Sequence, residues 1–136
     1  MLAIVDTRSL VAAADDRDPD HQAATNVLFR SGLILTVPAM VVAEATYLIA
    51  ERFGAVVEAR FLAGMTAFEV EAPPREDWAR ISDLVYQYRD FPLGGTDASI
   101  VALAERLNTD LIITLDRRHF AAVRPRHVST FHILPE

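Results

Sequence analysis

Leu2-Ala3-Ile4-Val5-Asp6-Thr7-Arg8-Ser9 opens the chain with an unbroken apolar run that stops on a carboxylate. A half-exposed strand would alternate polar and apolar residues, whereas an unbroken run reads as a strand covered on both faces, as in a parallel sheet. A second run, Leu111-Ile112-Ile113-Thr114-Leu115, also stops on an acid, Asp116. Between the two, short apolar segments alternate with helical periodicity, which is the rhythm of a parallel sheet flanked by helices.

After a first strand over residues 2–6, the pattern predicts a short helix near 7–14. Asp18-Pro19, an N-cap followed by proline at the first helical position, opens a helix to about Ser31, and Gly32 ends it. Leu33 to Val37 reads as the second strand. Pro38 starts a long helix carrying Val41, Glu44, Ala45, Leu48 and Ile49 that stops before Gly54, and another helix follows over about 55–66. Phe68 to Glu71 is the third strand and Pro73-Pro74 a turn. Residues 76–88 are amphipathic, with Trp78, Ile81, Leu84 and Val85 on or near one side. Phe91-Pro92-Leu93-Gly94-Gly95 reads as a loop, and Thr96 as the cap of a helix from Asp97 to about Leu107. The fourth strand is 111–115, and the last lies within 129–134.

The 136 residues, 51% of them hydrophobic, fit a single domain over 1–136 with a substantial core. Cysteine is absent, which excludes disulfides, thiolate metal sites and sulfur redox chemistry. No apolar run approaches the roughly 18 residues that span a bilayer. With no basic segment ahead of an apolar stretch, the sequence predicts a soluble cytoplasmic protein without signal peptide or membrane partner. A net charge of −6 argues against nonspecific nucleic-acid binding. The charge is segregated, however. Every basic residue is arginine; Arg117, Arg118, Arg124 and Arg126 gather near the C-terminus, while Asp15, Asp16, Asp18 and Asp20 crowd an early loop. The arginine group reads equally as a solvated face and as a set of phosphate contacts.

Two further acids sit among apolar neighbours at helical spacing: Glu44 between Val41 and Leu48, and Asp97 ahead of Ile100 and Val101. With Asp6 and Asp116 they are all expected to point inward. If the first and fourth strands adjoin, Asp6 and Asp116 meet at the carboxyl edge of the sheet, where parallel α/β folds place their ligands. The two helices would bring Glu44 and Asp97 to the same pocket. Clustered carboxylates require protonation, arginine pairing or a bound divalent cation. A hard cation such as Mg²⁺, which keeps several waters, suits a partial carboxylate shell better than zinc does. Taken singly, Asp6 or Asp97 could equally cap a helix, Glu44 could pair with an arginine, and Asp116 could start a turn.

Rival classes fail on the same residues. A receiver-type phosphorylation domain relies on a lysine, and a haloacid-dehalogenase-type phosphatase wants an aspartate where Arg8 stands. Neither G-x-x-x-x-G-K-[ST] nor G-x-G-x-x-G occurs.

The segments Ile4-Val5-Asp6-Thr7-Arg8-Ser9, Pro38 to Glu44, Gly95-Thr96-Asp97-Ala98-Ser99-Ile100 and Thr114-Leu115-Asp116-Arg117-Arg118-His119-Phe120 together resemble the PIN-domain nucleases, and within them the VapC-type toxins. The resemblance covers nearly the whole chain. It implies a three-layer α/β/α sandwich with a parallel five-stranded sheet in order 3-2-1-4-5, and the activity of an Mg²⁺-dependent (or Mn²⁺-dependent) endoribonuclease that inhibits translation and growth. Asp6, Glu44, Asp97 and Asp116 match the family's catalytic acids. Asp6 and Asp97 are the foremost metal-ligand candidates, with Glu44 and Asp116 completing the shell directly or through water; Thr7, Ser9 and Thr114 match the supporting hydroxyls. The implied partners are an RNA substrate, with Arg117 and Arg118 as possible contacts, a cognate VapB-type antitoxin, a second copy in a homodimer, and DNA only indirectly through the antitoxin. The competing reading is a catalytically inactive PIN-like RNA- or protein-binding module.

His119 is read as structural, at most positional or RNA-facing, and His21, His127 and His132 as scattered; Phe120 is read as core. Tyr86 and Tyr88, with Arg89, offer a surface for an unpaired base, but two residues apart they cannot share one face, so one of them packs. Phe53, Val56, Val57, Phe61 and Leu62 are nominated for an antitoxin groove or dimer contact, against core packing as the commoner role.

Overall fold

The computed structural model describes residues 1–91 and 93–136; Pro92, inside the loop expected over 91–95, lies outside the described residues. The strands are β1 (Leu2–Val5), β2 (Ile34–Pro38), β3 (Glu69–Glu71), β4 (Leu111–Ile113) and β5 (His132–Leu134). The helices are α1 (Thr7–Ala14), α2 (His21–Leu28), α3 (Ala39–Phe53), α4 (Ala55–Gly64), α5 (Asp77–Gln87), α6 (Gly95–Leu107) and α7 (Arg117–Ala122). All strand pairs are parallel, in the order β3-β2-β1-β4-β5, as the resemblance implied.

β1 lies at the centre, and consecutive residues Ala3, Ile4 and Val5 are each 0% exposed, so both faces of the sheet are covered and the sandwich has three layers. Ile112 and Ile113 of β4 are equally enclosed, which accounts for the lack of alternation in both opening sequences. From β1 the chain moves toward β2 and β3, whereas from β4 it moves toward β5. Neighbouring strands whose connections leave in opposite directions open a crevice at their carboxyl ends, and this is where the two strand-end acids lie.

The chain departs from the sequence expectations in several places. α2 begins at His21 rather than Pro19, because the Asp18 carboxylate accepts a hydrogen bond from the Asp20 amide at 2.8 Å and binds Arg8, forming a local turn in place of a helix cap. It ends at Leu28, short of Ser31. β4 closes at Ile113, two residues before the expected end, so Asp116 heads the short helix α7, an element the sequence reading lacked. α6 starts two residues earlier than a Thr96 cap would allow: Gly94 is its N-cap, and Thr96 and Asp97 both lie in the first turn. In α5 the buried stripe is Ile81 and Leu84, leaving Trp78 at the helix start 49% exposed. Gly54 joins α3 to α4 at φ +82°, a left-handed conformation that side chains resist. α4 packs on α3 but buries none of its residues fully. Among the described residues no helix is long and apolar enough to cross a membrane.

Candidate active site

The β1–β4 register pairs Val5 with Ile113, so the next residues outward, Asp6 and Thr114, emerge side by side. The Asp6 amide donates to Ile113 O at 2.9 Å, prolonging the ladder by one bond. The Asp6 side chain is 5% exposed and fully engaged: Oδ1 accepts from the Thr7 amide at 2.7 Å, and Oδ2 accepts from Thr114 Oγ1 at 2.7 Å. Asp6 therefore does cap α1, but the second oxygen is tied across the sheet, which capping does not need. Thr114 Oγ1 in turn accepts from the Asp116 amide at 2.9 Å, positioning the turn into α7. One threonine thus orients both strand-end acids.

Asp6 opens a cleft of about 580 Å³ whose walls also carry Glu44 from α3, Asp97 from α6 and Asp116. All the sequence-predicted acids converge there, but they are not equally inward. Asp6 is buried, the Asp97 side chain is 17% exposed and that of Asp116 42% exposed. Glu44 corrects the expectation outright. The buried stripe of α3 is Val41, Ala45 and Ile49, and Glu44 stands beside it, exposed at the mouth of the cleft. Its expected alternative, an arginine pair, is not found among the described residues.

Burial is the first cause that raises the Asp6 carboxyl above its ordinary range; the hydrogen bonds from Thr114 and Thr7 oppose it, while Glu44 and Asp116 add to it. Asp97 is pushed up to about 7, chiefly by burial and then by Asp6, with His119 acting in the opposite direction and Glu44 and Asp116 contributing further repulsion. These carboxylates crowd one another without enough positive charge to balance them.

His119 is the site residue that sequence reasoning undervalued. Its Nδ1 stands 3.2 Å from Asp97 Oδ2 and 3.1 Å from Asp116 Oδ2, and its ring meets Phe91 edge-on at 5.8 Å between centroids. The one signal was its place three residues after Asp116, which shares a face only if a helix starts there. Arg8 and Arg52 also line the cleft and were missed. The nominated Arg117 instead donates to Pro135 O at 2.8 Å, fastening the C-terminal segment, and Arg118 is exposed away from the cleft lining. Tyr88 is the packing member of its pair, its hydroxyl accepting from the Arg124 amide at 2.9 Å. Tyr86 stays 68% exposed beneath the Arg89 guanidinium, 4.2 Å from the ring centre. His21, His127 and His132 bond elsewhere, to Ala12 O, Thr109 O and Glu136.

The donor set fits a hard divalent cation. Its acids are oxygen ligands, of which Asp6 and Asp97 have their carboxyls raised by burial and by the neighbouring acids, and Thr7 Oγ1, in the cleft wall, is a buried hydroxyl without a hydrogen-bond partner, as is Ser9 Oγ nearby in α1. Among the described residues no three Asp, Glu or His side chains are gathered closely enough to enclose an ion by themselves.

The profile of the PIN domain matches residues 3–124. Ribonuclease VapC26 of Mycobacterium tuberculosis is 37% identical over 134 residues, covering 97% of this chain and 99% of the relative. In structure, the chain is similar to Mycobacterium tuberculosis VapC20, described as a Sarcin-Ricin loop cleaving toxin, with a TM-score of 0.82, 18% identity, and 93% and 98% of the two chains covered. It is also similar to a chain of Rickettsia felis VapBC2 bound to a DNA fragment from its promoter, with a TM-score of 0.70, 15% identity and 98% of each chain covered. At such identities the structural likeness speaks for the fold, whereas the profile and the 37% relative speak for descent. The chain belongs to the PIN-domain family, in its VapC branch.

Proposed function

We propose that this protein is a metal-dependent endoribonuclease, the toxin of a toxin–antitoxin pair, that hydrolyses RNA phosphodiester bonds and so arrests translation and growth. One observation carries the reading: Asp6, Glu44, Asp97 and Asp116 converge on a single cleft in a chain 37% identical to a ribonuclease. Asp6 and Asp97 would hold Mg²⁺ or Mn²⁺, and Glu44 and Asp116 would complete the shell, directly or through water. When bound, the cation supplies an acidified water and positive charge opposite the developing phosphorane oxygens. The protein's own part is orientation. Thr114 and the Thr7 amide hold both oxygens of Asp6 in place, and His119 Nδ1, 3.2 Å from Asp97 Oδ2 and 3.1 Å from Asp116 Oδ2, bridges those two carboxylates.

The partner we propose is a VapB-type antitoxin, on the precedent of the Rickettsia felis and Haemophilus influenzae VapBC structures, which share this fold. An acidic cleft favours insertion of a basic antitoxin side chain, and any DNA contact would be the antitoxin's. Phe53, Val56 and Leu62, at 37%, 68% and 43% exposure, supply apolar surface on α3 and α4 for a homodimer or an antitoxin.

The test is cleavage of a defined structured-RNA pool by the purified chain, freed of any copurifying antitoxin, in Mg²⁺, in Mn²⁺ and in EDTA. Cutting that needs the metal and disappears in both Asp6→Asn and Asp97→Asn supports the reading. Cutting that ignores the substitutions marks a contaminant, and no cutting in any condition overturns it.

A further inference from the structure

An acidic cleft repels the polyanion it would cut, so a ribonuclease of this kind needs positive charge at the edge of its site. Of the chain's arginines, Arg8 and Arg52 line the cleft. Arg8 is already committed: it binds Asp18 at 2.9 Å and Asp20 at 3.3 Å, pinning the acidic loop against the cleft wall. Arg52 has no ion-pair partner among the described residues and is exposed. It belongs to the stripe Glu44, Leu48 and Arg52 on α3, spaced by one turn each, and every member of the stripe faces the cleft. Eight residues of helix place its backbone about 12 Å from that of Glu44. That is too far to serve the bond being cut and a suitable reach for a neighbouring phosphate.

We propose that Arg52 seats a phosphate of the RNA strand flanking the scissile bond, a role that rests on the ribonuclease reading above. The half-buried side chain of Leu48 lies between it and Glu44 on the cleft wall, so the strand would run from the acids along α3 toward the start of α4. The competing role for Arg52 is structural: it is the basic residue in the last turn of α3, where a cation complements the helix carbonyls. A structural role would show in thermal stability and would not alter the salt dependence of RNA handling.

The experiment compares wild type, Arg52→Gln, Arg52→Lys and Arg30→Gln on a labelled single-stranded oligoribonucleotide of mixed sequence, measuring cleavage over a series of KCl concentrations together with thermal melting. Arg30→Gln makes the same change in net charge at the opposite edge of the sheet, where Arg30 lines a cleft with Met1 and Leu2. Arg52→Gln should raise KM about two- to fivefold at moderate salt, as loss of an exposed charge contact does. The loss should fall on KM rather than kcat, and the slope of log(kcat/KM) against log salt should become shallower by about 0.7, the share of one phosphate on a single strand. Arg52→Lys should recover most of the loss, and Arg30→Gln should match wild type. If wild type cuts and Arg52→Gln cuts with the same KM and salt slope, the phosphate seat is overturned while the ribonuclease reading stands. The seat is equally overturned if Arg30→Gln produces the same loss. If wild type does not cut, the underlying ribonuclease reading fails, and the seat with it.

Discussion

The Thr114 hydroxyl donates a hydrogen bond to Asp6 Oδ2 at 2.7 Å, joining residues 108 apart in sequence at the carboxyl ends of neighbouring strands. This bond holds the most buried acid of the site in one orientation and offsets part of the burial that raises its pKa. Thr114→Val keeps the shape and removes the donor. Leaving a buried carboxylate short of one partner should cost about 1–3 kcal/mol in urea unfolding. Misorienting the side chain proposed to hold the metal should lower kcat/KM for RNA by about 10- to 100-fold. Thr114→Ser, which keeps the donor, should recover most of the activity.

Asp97 gives a pH dependence whose sign is definite. Its folded-state carboxyl titrates at about 7 against an ordinary 3.8, so between those values the folded protein binds more protons than the unfolded chain. The metal-free protein should therefore lose stability as pH rises from about 4 through 7. Asp97→Asn should flatten that loss and stabilise the metal-free protein at pH 8 by about 1–3 kcal/mol, after allowance for its partial exposure. Mg²⁺ should stabilise wild type, by about 2.7 kcal/mol at a hundred times its Kd, and leave Asp97→Asn nearly unchanged. Thermal melting over pH with and without Mg²⁺ reads both effects.

The acids should not be equally important. Asp6 is buried and doubly hydrogen-bonded, and Asp97 is partly buried, whereas Glu44 stands exposed at the cleft mouth. Asp6→Asn and Asp97→Asn should each lower kcat/KM by about 10³-fold. Glu44→Gln should cost about tenfold, in keeping with a ligand that acts through water. Equal losses for all three would contradict this ordering.

His119 touches Asp97 and Asp116 and counteracts the rise in the Asp97 pKa. In His119→Ala the carboxyl should titrate higher still, so the rising limb of the pH–rate profile should move to higher pH. The Mg²⁺ concentration for half-maximal cleavage should increase at pH 7, because protons and cation compete for the same oxygens. An unshifted profile would assign His119 to packing against Phe91 alone.

The sheet was legible because its central strands are buried on both faces, which forces apolar residues into adjacent positions in β1 and β4. Strand-end acids were legible for the complementary reason: a carboxylate directly after such a run falls at the carboxyl edge where β1 and β4 meet, although Asp6 stays buried there. Helix ends were less so. Asp18-Pro19 carries a genuine capping pattern, but Arg8, ten residues earlier, captures the Asp18 carboxylate, a tertiary contact that local rules do not contain. Glu44 was placed by its neighbours Val41 and Leu48, yet the buried stripe runs through Val41, Ala45 and Ile49, and Leu48 is only half-buried. His119 was undervalued because α7 is a helix of 6 residues, too short to announce a face. Arg8 and Arg52 belong to elements distant in sequence and meet at the cleft only once α1 and α3 pack.

The central claim is that these carboxylates gather to hold a hard divalent cation, and calorimetric titration of Mn²⁺ into the metal-free chain at pH 7.5 tests it most directly, with Asp6→Asn and Asp97→Asn in parallel. The account predicts saturable binding to wild type that tightens as pH is raised from 6 to 8, and its loss in both variants. Absence of saturable binding to folded wild type, or binding that survives both substitutions, would contradict it.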